Sequence, residues 1–164
     1  MKIELKNVKH CDFASHETNC FEASVYIDGK RAGNVSNDGN GGSHSYDSRE
    51  MVEALTAHAN TLPKRTWTLN GEKLEVSPTI DLVIDELLID HLYSRDLKRA
   101  MSKRILFVDK DGILKETKTF KKEDMASLLR SPTLTTRLGS DKILNAMPFD
   151  VALSTYRNTI AAGV

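Results

Sequence analysis

The residues best suited to chemistry are two aspartates that follow an apolar stretch. Residues 105–108 are Ile, Leu, Phe and Val, and they lead into Asp109-x-Asp111-Gly112. A carboxylate at the end of a buried strand can attack phosphorus, and a nearby second carboxylate can pass protons, with Mg²⁺ balancing the phosphate charge. This spacing raises the hypothesis of a metal-dependent phosphohydrolase centred on Asp109 and Asp111.

The Asp-x-Asp-Gly stretch resembles the motif that ends an apolar strand in phosphatases of the haloacid-dehalogenase type. That resemblance implies a parallel sheet whose later strands supply a Lys and a further carboxylate. The residues after Leu114 instead have the pattern of helices, with no apolar strand ending in Ser or Thr and no Asp-Asp pair. We therefore expect a β-hairpin that turns near Asp111-Gly112, and we predict no catalytic residue and no cofactor.

Two other turn signals favour the same topology. Asp28-Gly29 lies within residues 21–35, and Asn70-Gly71 lies within residues 66–76. These dipeptides readily adopt the positive φ angles that tight hairpin turns need. Because hairpins join antiparallel strands, the three signals predict antiparallel pairing and not parallel crossovers.

The strongest helical pattern covers residues 79–102. Apolar residues recur there at i, i+3 and i+4, namely Ile80, Val83, Ile84, Leu87, Leu88, His91 and Leu92. Leu82 and Ile89 add apolar surface away from this stripe. A second layer or a second subunit could cover that surface, so a homodimer is possible.

Shorter helices are expected elsewhere, which gives an α+β fold. A helix over residues 48–60 has Asp47 as its candidate N-cap. Further helices are predicted over residues 122–130, after Ser140 or Asp141, and over residues 151–161. We predict a small antiparallel sheet of β-hairpins packed on a long central helix, in a single domain (1–164) with a possible helical C-terminal subdomain (120–164).

The polar loop at residues 36–46 is the best candidate for a binding site. It is rich in Gly and precedes a helix, a context in which backbone N–H groups can hold an anion. It lacks the Lys of a nucleotide-binding P-loop, and Gly42 and Arg49 stand where a calcium loop needs ligands. We expect a partner or anion contact through the polar side chains of Asn37, Asp38, Asn40, Ser43 and His44.

A third group of residues has side chains that bind zinc. His10, Cys11, His16 and Cys20 lie close together in the sequence. Their spacing lacks the paired Cys-x₂₋₄-Cys arrangement of structural zinc sites, and no second half follows. We predict no metal site.

Basic residues at the end of the long helix suggest nucleic-acid binding as an alternative function. The candidates are Arg95, Lys98, Arg99, Lys103 and Arg104, with Arg130, Arg137 and Lys142 completing a possible groove. The first half of the helix is acidic, so this polarity also suits the helix dipole without any ligand.

Bulk composition narrows the classes of partner. The 164 residues contain 23 Lys and Arg and 23 Asp and Glu, so the net charge is zero. This balance argues against a surface wholly devoted to nucleic acid, and against an acidic mimic of DNA. No apolar run is long enough to span a bilayer, and the first residues lack an apolar signal core. We expect no membrane partner, a cytoplasmic location and free thiols at Cys11 and Cys20.

The N-terminal stretches resemble small uncharacterised proteins encoded by bacteriophages and prophages. They are Lys2-Ile-Glu-Leu-Lys-Asn-Val-Lys-His10, Cys20-Phe-Glu-Ala, Tyr26-Ile-Asp-Gly-Lys30 and Val35-Ser-Asn-Asp-Gly39, so the resemblance covers mainly residues 1–45. It implies a mobile-element protein that acts inside a bacterial cell and brings no known activity. The leading hypothesis is therefore a non-enzymatic binding or regulatory protein, for example an inhibitor of a host defence complex.

Overall fold

The computed structural model describes residues 1–69 and 72–162. Over these residues it contains helices and antiparallel sheets, which confirms the predicted α+β class. The described strands form three separate sheets and not one. None of the helices in this part of the chain combines the length and the apolar composition that a bilayer crossing requires.

The chain divides into two compact units, Met1–His91 and Leu92–Val164. The second unit begins before the helical subdomain expected at residues 120–164, and it contains strands as well as helices. Each unit is described by itself below.

The first unit contains a four-stranded antiparallel sheet and a separate hairpin. Its elements are β1 (Ile3–His10), β2 (Phe21–Ile27), β3 (Lys30–Asn37), β4 (Ser45–Tyr46), α1 (Arg49–Ala59), β5 (Arg65–Leu69), β6 (Glu72–Val76) and the first part of α2 (Ile80–Met101). The large sheet has the strand order β1-β2-β3-β4, and β5 pairs only with β6 among the described strands.

Two predicted hairpins lie in this unit. The β2–β3 turn is at Asp28-Gly29, where φ is +48° and +82°, as the sequence predicts. The β5–β6 hairpin is confirmed by antiparallel pairs from Arg65↔Val76 to Leu69↔Glu72. The turn predicted for it at Asn70-Gly71 lies outside the described residues.

Apolar residues with the expected periods form the core of the first unit. In β2 the apolar residues Phe21, Ala23 and Val25 are two positions apart and buried, so they lie on one face of the strand. On the other face Glu22 is exposed, whereas Ser24 is buried. In α1 the buried residues are four positions apart, so they lie on one helix face. The core of the first unit consists of the buried residues Phe21, Ala23, Val25, Val35, Met51, Leu55, Ala59, Val83, Ile84 and Leu88.

The N-cap of α1 is Ser48 and not Asp47. The Ser48 hydroxyl accepts the N–H of Met51 at 3.2 Å. The Asp47 carboxylate instead accepts the backbone N–H of Asn34 at 2.6 Å and its side-chain N–H at 2.8 Å. Asp47 therefore ties the start of α1 to β3, and the next residue takes over the capping role.

The second unit is a three-stranded antiparallel sheet with helices on both faces. Besides the end of α2, it contains β7 (Leu106–Val108), β8 (Leu114–Glu116), α3 (Lys122–Leu129), α4 (Leu134–Leu138), β9 (Lys142–Ile143) and α5 (Phe149–Ala162). The strand order is β8-β7-β9, and β7 is antiparallel to both neighbours.

Side chains of β7 and the residue before it alternate between two apolar clusters. Leu106 and Val108 pack with residues of α2 and α5, whereas Ile105 and Phe107 pack with residues of α3 and α4. The helix expected after Ser140 or Asp141 is replaced by β9 and a short 3₁₀ turn at Leu144–Ala146. The Ser140 hydroxyl donates to the carbonyl of Val108 at 2.5 Å, which holds this segment beside β7 as a strand.

The Asn145 side chain links three backbone groups around the start of β7. Its Nδ2 donates to the carbonyls of Met101 and Arg104 at 3.1 and 2.9 Å. Its Oδ1 accepts the N–H of Leu106 at 2.8 Å. One amide thus supports the chain where it leaves α2 and enters the sheet.

The hairpin predicted near Asp111-Gly112 is confirmed, and Asp109 holds its turn together. The N–H of Gly112 donates to the Asp109 carbonyl at 3.0 Å, and Gly112 has a φ of +80°. The Asp109 carboxylate accepts the N–H groups of Asp111 and Ile113 at 3.0 and 2.9 Å and pairs with Lys115 at 2.7 Å. The Lys115 ammonium, with the Ile113 N–H, lowers the pKa of Asp109 below its usual range.

We predict that Asp109→Ala destabilises the second unit and that Asp111→Ala, at an exposed position, does not. The lowered pKa means that the ionised carboxylate stabilises the folded state above the ordinary Asp pKa near ~4. That contribution is lost as pH falls below this value. Thermal unfolding should show a lower midpoint for Asp109→Ala at neutral pH and a smaller difference from wild type in acid. Equal midpoints for both variants at neutral pH would contradict the assignment.

Candidate partner-binding surface

Two loops lie at the same end of the four-stranded sheet. Residues 11–20 connect β1 to β2, and residues 38–44 connect β3 to β4. Because β1 and β3 both pair antiparallel with β2, they run in the same direction. The loops that follow them therefore leave the sheet at the same end. We call the exposed side chains of these two loops the loop surface.

The two loops are bonded directly to each other at Gly39. Its carbonyl accepts the N–H groups of His16, Glu17 and Thr18 at 2.9, 2.9 and 3.3 Å. Gly39 has a φ of +87°, and a Cβ built on it would lie 2.1 Å from the carbonyl oxygen of Ala14. Glycine is therefore required here both for its backbone angle and for the close approach of the first loop.

The buried side chain of Asn37 also connects the same two loops. It is 7% exposed, and its Oδ1 accepts the Thr18 hydroxyl at 2.7 Å and the Gly39 N–H at 2.9 Å. Its Nδ2 donates to the Gly42 carbonyl at 3.2 Å and lies 3.1 Å from Nδ1 of His44. Both donors and both acceptor positions of the amide thus have partners, as a buried amide needs.

His44 and Tyr46 anchor the second loop to α2. The His44 side chain is only 4% exposed, and its ring meets the Phe21 ring edge-on with 5.1 Å between centroids. The Asp81 carboxylate accepts the His44 N–H at 3.2 Å and the Tyr46 hydroxyl at 2.7 Å. Nε2 of His44 lies 3.4 Å from the Asp85 carboxylate. Burial, reinforced by the bond to Asp81, raises the pKa of Tyr46.

The five residues predicted to bind a partner thus fall into two groups. Asn37 and His44 have buried side chains with contacts inside the unit. Asp38, Asn40 and Ser43 are exposed. Only these three side chains are available to a partner without rearrangement of the loop.

Three consecutive backbone N–H groups of the second loop already have acceptors. Those of Gly39, Asn40 and Gly41 donate to side-chain oxygens of Asn37, Asp38 and Thr18 at 2.9, 3.1 and 3.3 Å. An anion held by these three groups would have to replace all three bonds. The geometry therefore favours a partner that contacts exposed side chains over an anion cradled by backbone.

Phe13 is the residue of this surface that the sequence did not single out. It lies in a short 3₁₀ turn, Asp12–Ala14, and is 88% exposed. The Ala14 N–H donates to the Cys11 carbonyl at 3.1 Å, and the Ser15 hydroxyl bridges that carbonyl and the Cys20 N–H at 2.9 and 2.8 Å. An aromatic ring is therefore held in solvent by a well-bonded turn. The available signal was a Phe outside any strand pattern, between Asp12 and the small residues Ala14 and Ser15.

Exposed carboxylates accompany Phe13 on the same two loops. Asp12, whose side chain is 89% exposed, precedes it, and exposed Glu17 and Asp38 lie on the first and second loop. His16 is exposed and completes the titratable groups of the loop surface. The loop surface thus combines the exposed aromatic side chain of Phe13 with an excess of acidic side chains.

Among the four possible zinc ligands, the His10 ring has other contacts. Nε2 and Nδ1 of His10 lie 3.1 and 3.2 Å from side-chain oxygens of Asn19 and Asp12. The Cys11 N–H donates to the Cys20 carbonyl at 2.9 Å, and both thiols are free. Across residues 1–69 and 72–162, no three His, Cys, Asp or Glu side chains converge as a metal site.

Three of the basic residues proposed for nucleic-acid binding have contacts at the end of α2 or just beyond it. Arg95 pairs with Asp96 at 3.0 Å and Arg104 with Glu116 at 2.6 Å. Nζ of Lys98 lies 4.8 Å from the centre of the Phe149 ring. Arg99 and Lys103 are exposed.

The remaining basic candidates lie on other elements of the second unit. Arg130 follows α3 and Arg137 lies in α4, and both helices pack on the face of the β7 sheet opposite to α2. Lys142 lines an open pocket of about 440 Å³ together with Asp109 and Lys110. The basic candidates thus come from α2, α4, β9 and the segments that follow α2 and α3.

Searches against protein-family models, curated proteins and solved structures found no match.

We predict that Gly39→Ala destabilises the first unit far more than Gly42→Ala does. Both residues have nearly the same φ, +87° and +89°, but a Cβ on Gly42 would have no neighbour within 4 Å. Gly42→Ala should cost ~1–2 kcal/mol for the backbone angle alone. Gly39→Ala adds the clash with the first loop, roughly 2–3 kcal/mol more. Urea unfolding measures both values, and equal losses would show that the loops are not in contact at Gly39.

Proposed function

We propose that this protein is a non-enzymatic binding protein whose loop surface docks on a protein partner, with Phe13 as the anchor. The observation that carries the proposal is a Phe side chain 88% exposed on a turn fixed by hydrogen bonds. Interfaces concentrate their binding energy in a few aromatic or Arg side chains that enter pockets on the partner.

The hydrogen bonds between the loops make this use of Phe13 favourable. Burying its ring in a partner pocket would raise the affinity roughly ten- to hundredfold. Little of that gain would be lost to ordering the loop, because Ser15 and the Gly39 carbonyl hold it already. Preorganised aromatic anchors are effective for this reason.

The charges of the loop surface define the chemistry of the partner. The exposed carboxylates of the loop surface carry negative charge at neutral pH. They belong to Asp12 and Glu17, on the same loop as Phe13, and to Asp38 on the second loop. The matching surface is an apolar pocket with Lys or Arg at its rim. Opposite rim charges mainly accelerate association, so salt should slow binding more than it speeds dissociation.

The sequence resemblance supports the setting of this proposal. The segment that resembles phage and prophage proteins, residues 1–45, includes both loops of the loop surface. We propose that the partner is a protein of the bacterial cell in which a mobile element resides, and that binding inhibits a host complex.

The other two hypotheses have less support. For nucleic acid, the candidates come from helices that pack on opposite faces of a sheet, and Arg95 and Arg104 already pair with carboxylates. For phosphohydrolysis, the Asp109 carboxylate is engaged by two N–H groups and Lys115. Hydrolysis of phosphoesters that needs Mg²⁺ and is lost in Asp109→Asn would contradict a non-enzymatic protein.

We predict that Phe13→Ala strongly reduces capture of the partner while leaving the fold intact. The matched control is Ile113→Ala, which removes another apolar side chain, 55% exposed, from a turn in the second unit. Tagged wild type and both variants would be recovered from bacterial cells and their bound proteins quantified by mass spectrometry. The expected result is a protein retained by wild type and Ile113→Ala and reduced at least tenfold by Phe13→Ala. Equal recovery with Phe13→Ala would refute the role of this side chain.

A further inference from the structure

The β5–β6 hairpin leaves an unpaired strand edge. Every residue of β6 is exposed, including Leu74 and Val76 at 44% and 43%, and in the described part of the chain no third strand joins this sheet. Arg65 of β5 forms an ion pair with Glu86 of α2, which tethers the start of β5 to this helix, whereas all five residues of β6 are exposed. An exposed edge with apolar side chains is a template for pairing with another strand, and an isolated two-stranded hairpin has little stability of its own.

The sequence of β6 is complementary to itself. Its residues are Glu72, Lys73, Leu74, Glu75 and Val76. In an antiparallel pair of two such strands centred on Leu74, Lys73 of each copy lies opposite Glu75 of the other. Leu74 then lies opposite Leu74, and Glu72 opposite Val76. We infer that β6 pairs with β6 of a second copy of this chain and so joins the two hairpins into one four-stranded sheet.

The alternative centres are unfavourable, which fixes the register. A two-fold axis perpendicular to the sheet keeps each side chain on its own face, so the centre must fall on a residue. A centre on Lys73 or on Glu75 places like charges directly opposite each other, which destabilises a strand pair. The centre on Leu74 instead makes two opposite-charge pairs and one apolar pair.

The other edge strands of the molecule are less suited to this role. β1 has a bulge, with Asn7 at a φ of +53° and a register shift between Lys6 and Lys9. Bulges disrupt the regular ladder that a new strand would extend. β4, β8 and β9 contain only two or three residues each. β6 pairs with β5 without a register shift over its whole length.

This dimer does not depend on the loop surface, because β6 and the two loops share no residue. It would give one particle two copies of Phe13. Two linked binding sites raise the apparent affinity for a partner that offers two matching pockets. The dimer therefore extends the proposed function without being required for it.

Charge exchange at β6 tests the inference on the full chain. Lys73→Glu places Glu opposite Glu, and Glu75→Lys places Lys opposite Lys, so each variant alone should dimerise at least about tenfold more weakly than wild type. An equimolar mixture of the two should recover the dimer, because every position then faces the opposite charge. Sedimentation equilibrium measures the dissociation constant in each case, with circular dichroism as the check on folding.

Three results would overturn the inference. They are a wild-type chain that stays monomeric, single variants that dimerise as tightly as wild type, and a mixture no tighter than either variant alone. A control at Ile89, which is 39% exposed on α2, separates this edge from the helix face. A dimer lost in Ile89→Asp but kept in both β6 variants would assign the interface to α2 and refute the pairing of β6.

Discussion

The side-chain amide of Asn37 bonds to both loops of the first unit at once. Its oxygen accepts groups from Thr18 in the first loop and Gly39 in the second, and its nitrogen donates to the Gly42 carbonyl. Without it, the partly buried Thr18 hydroxyl and the buried Gly39 N–H would lose their acceptor, at a cost of up to ~1–3 kcal/mol for each group left unpaired. These bonds hold the two loops against each other, and the Asn37 amide also lies 3.1 Å from the His44 ring.

The second unit uses an amide in the same way. Asn145 joins the carbonyls of Met101 and Arg104 to the N–H of Leu106, where the chain changes from helix to strand. Irregular segments cannot satisfy their backbone groups by a ladder of repeated bonds, so a side chain with two donors and two acceptor positions replaces part of that ladder. In both units the regular elements come from apolar periodicity, and an asparagine side chain bonds to several backbone groups of the connecting segments.

Sequence reasoning succeeded where local chemistry decides the structure. Asp28-Gly29 and Asp111-Gly112 mark turns because backbone angles are a local property. The predicted bounds of α2 agree with the structure within one residue at each end, because its apolar stripe from Ile80 to Leu92 extends over roughly three turns. Sequence reasoning failed where a distant group decides. β9 is a strand because Ser140 bonds to Val108, and Ser48 caps α1 because Asp47 is used by Asn34. Asn37 and His44 were expected at a surface from their polarity, but tertiary hydrogen bonds make them interior residues.

Hydrogen bonds join the two loops of the first unit, so we expect them to behave as one rigid unit. Amide hydrogen exchange tests this expectation most directly. The N–H groups of His16 and Glu17 belong to exposed residues, yet both donate to the Gly39 carbonyl at 2.9 Å. Exchange measured residue by residue by NMR should show these amides protected to nearly the same degree as those of Ala23 and Val25 in β2. The reason is that separating the two loops requires breaking the hydrogen bonds of the Asn37 side chain. Exchange of His16 and Glu17 at the rate of an unstructured peptide, with β2 still protected, would contradict the account.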